Sequence, residues 1–389
     1  MKQGWEVNGF EDCLEKIVYT NKVQRKDFLI IGKYPIISQE QDFINGYWDN
    51  SADLFTVKKP IIIFGDHTQV LKYVDFDFVL GADGVKILQP KSIIYPRFFY
   101  YFLQSINLGS LGYARHYRLL KEIEVHFPKS LPEQQRIVAI LDEAFAAIAQ
   151  AKANAEQNLR NAKELFESYL QSVFENKGEG WEARRLDNII ESNVIGLTKN
   201  SSEQNIHHEF KYVKMNNITK GNCFDLSKYT CVNAEKSEIE KYRLSNDDFL
   251  FNTRNSYELV GKTCLFKSLD HEVILYNNNI MRIRFLKSIN PYFINYAFST
   301  DDVINKLDRI KSGTTNVSAI YYKDLRNLEI LIPPLKKQEE IVQQLDALST
   351  ETKQLESIYQ QKINDLDELK KSILQKAFAG ELNTSALEV

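Results

Sequence analysis

The sequence predicts an α+β protein. Two tandem mixed α/β units are each followed by a long helix, and the two helices carry the seam of a coiled coil. Three observations support this: an internal repeat, two uninterrupted helical patterns, and short β-branched runs between them. The repeat comes first because its period sets the architecture. At an offset of 204 residues, Leu131, Gln134, Ile137, Val138, Leu141 and Asp142 match Leu335, Gln338, Ile341, Val342, Leu345 and Asp346. The register runs without a gap to Leu170, Gln171 and Phe174, which match Leu374, Gln375 and Phe378. Gly4-Trp5-Glu6 recurs as Gly180-Trp181-Glu182, each opening a new segment. The expected division is a first unit at 1–130, a helix at 131–179, a second unit at 180–334, a helix at 335–380 and a tail at 381–389. Counted from its Gly-Trp-Glu opening, the second unit is 28 residues longer than the first, yet the helices kept their length. Helix length, not domain size, therefore carries the geometric requirement.

Apolar residues in both helices recur at alternating steps of three and four, the narrow seam of a coiled coil with occasional stutters. The expected seam is Ile137, Leu141, Ile148, Leu159 and Phe166 against Ile341, Leu345, Leu348, Leu355, Leu366 and Ile373. Pro132 sits at a helix start, where its missing N–H costs nothing. Pro333 and Pro334 precede the second helix, and Gly178 and Gly380 mark the ends. With no internal Pro or Gly, each rod would be roughly 65 Å long. In the units between, β-branched and aromatic runs at 28–31, 59–64, 78–80, 212–213, 249–251 and 280–285 read as strands. A helical stretch follows the proline at 96–104 and again at 291–298.

Composition narrows the function. The 389 residues carry 49 basic and 52 acidic side chains, and 43 Phe and Tyr together argue against disorder. No run reaches the ~18–20 apolar residues of a membrane span. The first residues lack the basic-then-apolar pattern of a secretory signal, so a cytoplasmic protein is expected. Cys13, Cys223, Cys231 and Cys264 lie far apart, and neither a disulfide framework nor a zinc site is indicated. No metal ligand set and no catalytic residue is expected. Ser256–Thr263 misses the first glycine of a phosphate loop and is followed by a β-rich segment. Asn290-Pro291-Tyr292-Phe293 lacks the second proline of amino-methyltransferase signatures, and Asp66-His67 has no nucleophile context.

Polar, basic loops between apolar strands are the better signal. In the first unit these are Gly65, Asp66, His67 and Thr68, and the cluster Arg115, His116 and Arg118. In the second they are Asn252, Thr253, Arg254 and Asn255, then Lys262, then Lys311, Ser312 and Thr314. Arg reads guanine and Asn reads adenine bidentately, while Ser, Thr and Lys suit phosphate. The units are only mildly basic, at net +1 and +2, and the segments 131–179 and 335–389 carry −3 each. Composition alone would not point to DNA, and acidic rods suit protein contacts.

The tandem layout and the paired helix openings, Leu131-Pro132-Glu133-Gln134-Gln135-Arg136-Ile137-Val138 and Pro333-Pro334-Leu335-Lys336-Lys337-Gln338-Glu339-Glu340-Ile341-Val342, resemble a known family. So do the helix ends, 170–174 and 374–380, and the stretches 63–68, 81–86 and 248–254. The family is the specificity subunits of type I DNA restriction–modification enzymes, and the resemblance covers essentially the whole chain. It implies that the units are target-recognition domains, each reading half of an asymmetric, bipartite double-stranded DNA sequence. It further implies that the helices pack as an antiparallel coiled coil, a spacer docking two methyltransferase subunits, with restriction subunits joining. S-adenosylmethionine, ATP and magnesium would then belong to those partners, and this chain would bind no cofactor. Two other readings stand beside it: a protein-binding coiled-coil adaptor, and a nucleotide-dependent hydrolase using Gly261-Lys262-Thr263.

Overall fold

A computed structural model describes residues 3–109, 112, 114–267 and 272–382. Residues 383–389 of the expected tail lie outside the described residues. The contacts divide the chain into two units. One joins the described residues up to Gln157 with those from Tyr359 onward; the other is Asn158–Ile358. Each unit thus contains an α/β domain, part of one long helix and part of the other. The helices run Leu131–Glu175 and Leu335–Ala379.

In the first unit, strands Trp5–Gly9 and Glu124–Pro128 pair antiparallel, closing the domain where the helix begins. Strand Ile61–Gly65 lies between Leu71–Val74 and Val85–Leu88, both antiparallel to it. A second sheet pairs Tyr34–Ile37 parallel to Phe78–Gly81 and antiparallel to Gly46–Trp48. In the second unit the same connections recur. Glu182–Arg185 pairs Glu329–Ile332, and Phe249–Asn252 lies between Thr263–Leu265 and Ile280–Phe285. Phe210–Val213 runs parallel to Ile274–Tyr276 and antiparallel to Thr230–Val232. The central strands Ile61–Gly65 and Phe249–Asn252 are buried along their whole length, which fits their unbroken apolar runs. The expected strand at 28–31 does not form. Leu29 makes a single bridge to Tyr47, and Ile30 and Ile31 are 91% and 85% exposed.

Repeated side chains fasten domain to helix in the same way in both units. Gln134 is fully buried; its Oε1 accepts the Tyr95 N–H at 2.7 Å, and its Nε2 donates to the Ile93 and Pro128 carbonyls. Gln338 accepts the Asn290 N–H at 2.8 Å and donates to the Ser288 and Pro333 carbonyls. One turn or two further on, Asp142 takes Tyr101 Oη and Arg97, while Asp346 takes Tyr296 Oη at 2.6 Å. Burial and the Asp142 carboxylate push the Tyr101 hydroxyl up to about 12. From the other long helix, Phe378 packs 5.1 Å from the Phe98 ring, and its repeat counterpart Phe174 packs 5.1 Å from Phe293.

Within each unit the two helices run antiparallel. In the first, Lys152 pairs with Asp367 at 2.6 Å, while Ile137, Val138 and Leu141 share a core with Leu374 and Ala377. In the second, Leu170 shares a core with Ile341, Val342 and Leu345. Buried residues Leu141, Ile148, Ala155 and Ala162 recur every seven positions along the first helix. The second helix departs from the expected seam. Leu355 is 38% exposed, and a buried series runs through Ile341, Thr352, Ile363 and Leu374, each eleven residues on. Eleven residues close three turns, so this spacing relaxes the heptad winding. The Thr352 hydroxyl is satisfied within its own helix by the Leu348 carbonyl at 2.9 Å. Of the remaining seam residues, Ile137, Ile148, Ile341 and Leu345 are buried, and Leu159, Phe166, Leu348, Leu366 and Ile373 are half-buried.

Leu141 and Leu345 are fully buried and belong to the domain cores as well as the helix seam. Replacing either by Asp is therefore expected to cost at least about 3 kcal/mol. Urea unfolding followed by circular dichroism should show the affected unit melting earlier. An unchanged midpoint would place these leucines outside the core.

Candidate nucleic-acid interface

The loop that leaves each central strand is built on one backbone pattern. In the first unit the Gly65 N–H donates to the Val70 carbonyl, the Asp66 N–H to Gly84, and the His116 N–H to the Asp66 carbonyl, at 2.9, 2.7 and 2.7 Å. In the second, Asn252 donates to Lys262, Thr253 to Asn279, and Ile320 to Thr253, at 2.8, 2.8 and 2.9 Å. Two loops distant in sequence are thereby brought side by side: 65–70 with 115–118, and 252–262 with 312–320. The first loop is short and crowded. A Cβ at Gly65 would lie 2.2 Å from Thr68 Oγ1 and 2.9 Å from Gln39 Cβ, so only glycine fits. The second is longer and carries its own small sheet. Arg254–Asn255 pairs with Ser318–Ala319, which pairs with Ser312–Gly313.

The structure sorts the expected contact residues into two kinds. Asp66 and His116 are 2% and 1% exposed: the Asp66 carboxylate accepts the Tyr117 N–H at 2.8 Å, and its carbonyl takes the His116 N–H. Asn252 is fully buried, donating toward the Arg254 and Asn279 carbonyls and accepting from Asn255 Nδ2. Lys311 pairs with Asp308 at 2.6 Å, donates to the Tyr257 carbonyl and lies 4.5 Å over the Tyr257 ring. Lys262 donates to the Met215 and Ile218 carbonyls, and burial lowers its pKa, helped by nearby Lys220 and opposed by Cys264. These five side chains shape the loops instead of projecting from them. The phosphate-loop reading fails on the same geometry, because Lys262 is tied to backbone and Thr263 enters a strand, its hydroxyl bonded to Asn295.

Arg115, Arg118, Arg254, Ser312 and Thr314 are exposed, and so is Thr68, although its hydroxyl donates to the Gln39 carbonyl at 2.6 Å. His67, Thr253 and Asn255 are half-buried at the loop bases, with the His67 N–H on Gln39 Oε1 at 3.1 Å. Sequence reasoning missed Gln39, which braces the first loop from a neighbouring sheet; nothing local to it signals that role. It also missed Lys86 and Lys121, which lie 5.2 and 5.5 Å over the Tyr117 ring. A further miss is Lys72, only 3% exposed, whose ammonium donates to the Asp42 and Phe43 carbonyls and Asn45 Oδ1, holding the 42–45 loop.

The fold and its loops define a duplicated reading module: two α/β domains carrying polar loop platforms, each clamped to long antiparallel helices. The family model for the type I restriction modification DNA specificity domain matches residues 2–158 and 178–365. The chain belongs to this family. It is 26% identical over 332 residues to the EcoKI specificity subunit of Escherichia coli strain K12, covering 80% of this chain and 70% of that one. It is 24% identical over 316 residues to the StySPI specificity subunit of Salmonella potsdam, covering 76% and 67%. The fold matches a chain solved in work on complex assembly and conformational transition of the type I system, with a TM-score of 0.74 over 98% and 99% of the chains at 16% identity. It also matches the HsdS subunit of Thermoanaerobacter tengcongensis, with a TM-score of 0.58 over 98% of each chain at 16% identity. As a specificity subunit, the chain recognises the DNA target within a type I restriction–modification complex and is its non-catalytic member. No helix among the described residues is long and apolar enough to cross a membrane.

Lys72 gives the interface a pH signature. Burial pulls its pKa from 10.5 down to about 8, against the raising effect of Glu40 and Asp42. The folded chain therefore releases this proton before the unfolded chain does. The cost of the buried charge is fully present below about pH 8, and stability rises with pH from there to about 10.5. Comparing unfolding midpoints of the wild type and Lys72→Met between pH 7 and 10 is expected to show a smaller rise in the variant. Parallel profiles would mean that Lys72 titrates normally.

Proposed function

We propose that the domain at 1–130 and the domain at 180–334 each read one half of an asymmetric, bipartite sequence in double-stranded DNA. The helical segments 131–179 and 335–380 dock two methyltransferase subunits, and restriction subunits join that core. S-adenosylmethionine, ATP and magnesium belong to those partners, and the complex works in the cytoplasm. The observation that carries this reading is the matched platform: the same three backbone hydrogen bonds present a loop pair in each domain, while loop length and side chains differ. A common frame with divergent loops suits two different half-sites. In the second domain Arg254, exposed on one edge strand of the small sheet whose other edge carries Ser312, is the side chain best suited to reach a base edge. In the first domain His67 holds the place of Arg254, and Arg115 and Arg118 are the exposed cations of the loop beside it, which is tied to Asp66.

Arg254→Ala is expected to weaken specific binding by roughly 1–3 kcal/mol and relax the half-site read by the second domain. The other half-site should be unchanged. The check is sequencing of methylated adenines in cells expressing the complete complex, together with a binding titration across salt concentration. Wild-type affinity falling steeply with salt separates DNA reading from a protein-binding adaptor. Unchanged affinity and an unchanged methylated motif would assign Arg254 to loop structure.

A further inference from the structure

The first domain presents an apolar tip that neither its core nor its recognition loops use. Ile30 and Ile31 are adjacent, 91% and 85% exposed, and β-branched. Such residues normally sit in a sheet, and leaving two of them side by side in water is unfavourable. The tip is also firmly mounted. The Leu29 N–H donates to the Tyr47 carbonyl at 3.0 Å and the Tyr47 N–H donates back at 2.8 Å. On the far side the Lys33 N–H donates to Asp49 Oδ1 at 2.9 Å. Gly32 lies so close to the sheet that a Cβ there would be 2.9 Å from Tyr47 Cβ.

Charge around the tip identifies its partner. Residues 22–33 hold Lys22, Arg25, Lys26 and Lys33 against Asp27; Arg25 is paired with Glu40 at 3.1 Å, and the Asp49 carboxylate accepts the Lys33 N–H. Lys26 and Lys33 are exposed on either side of the isoleucines. An apolar point flanked by cations matches the minor-groove wedge, where aliphatic side chains enter between base steps while neighbouring cations hold phosphate. Position agrees. Gln39, which braces the 65–68 loop, lies eight positions after Ile31. That is at most ~28 Å of chain, within one ~34 Å turn of duplex. The equivalent turn of the second domain, ahead of strand Phe210–Val213, carries Ile206 at 54% exposure followed by His207 and His208, without flanking exposed lysines.

We infer that Ile30 and Ile31 form a wedge that enters the base stack beside the half-site read by the first domain, with Lys26 and Lys33 holding the adjacent phosphates. This rests on the DNA-reading function and adds a local kink, made by one domain only. The test uses the full chain assembled with its methyltransferase subunits, on duplexes carrying the methylated motif. 2-Aminopurine placed at successive steps reports unstacking, and end-labelled energy transfer reports bending. Wild type should brighten 2-aminopurine at one step near the first half-site. I30A/I31A should abolish that signal and the bend, and weaken specific binding roughly tenfold with the salt slope unchanged. K26A/K33A should instead reduce the salt slope by about two. Ile206→Ala should leave bending intact. Full unstacking and bending in I30A/I31A would overturn the wedge, as would loss of methyltransferase assembly in that variant, which would make the tip a protein contact. Failure of the wild type to bind the motif at all would instead refute DNA reading itself.

Discussion

Two buried carboxamides hold this architecture together. Gln134 and Gln338 each satisfy one backbone N–H and two carbonyls where a domain meets the start of its helix. The Pro128 and Pro333 carbonyls are buried with the carboxamides, so losing the side chain would leave these acceptors unsatisfied. The Asp142–Tyr101 and Asp346–Tyr296 bonds repeat the grip further along. Phe378 and Phe174 then close each domain against the end of the other helix. A unit is therefore not a domain with a helix appended. It is a domain held between the beginning of one long helix and the end of the other.

That construction explains where the two halves were free to diverge. The helix openings, helix ends and parallel strand pairs are tied by bonds with equivalents in both units. The recognition loops lie beyond the other end of the central strands, and part of the second domain's extra length lies there, another part falling between strands Phe210–Val213 and Phe249–Asn252 with helix Lys236–Tyr242. Helix Asp301–Ile310 and the hairpin of Ser312–Gly313 with Ser318–Ala319 sit between elements that in the first domain are joined by residues 106–116. A loop anchored by backbone hydrogen bonds, as at Asp66 and Thr253, can change its side chains without disturbing the sheet beneath it. Reading surface and scaffold are physically separable.

The repeat and the two rods were legible because periodicity and register survive in a one-dimensional string, whereas their antiparallel packing was implied only by the family resemblance. The loops were legible only as places. A polar side chain in a loop looks the same whether it faces solvent or ties the chain down. Asp66, His116, Asn252, Lys262 and Lys311 proved to be ties, and Arg115, Arg118 and Arg254 proved exposed. Leu355 misled for a related reason: a hydrophobe in heptad step fits a seam, but the helix also packs on a domain and winds through Thr352 and Ile363. The 28–31 run has strand composition, yet it sits at a sheet margin with its aliphatic side chains in water.

Hydrogen exchange on the full chain carrying Gln134→Leu tests the clamp most directly. If domain, helix start and opposite helix end form one unit, loss of this carboxamide should lower protection together in three places. These are strands Trp5–Gly9 and Glu124–Pro128, the first turns from Leu131, and the stretch around Leu374 and Phe378 of the second helix. Residues of the second unit should keep their protection. Faster exchange confined to the few amides around residue 134, with the second helix's end still protected, would contradict it.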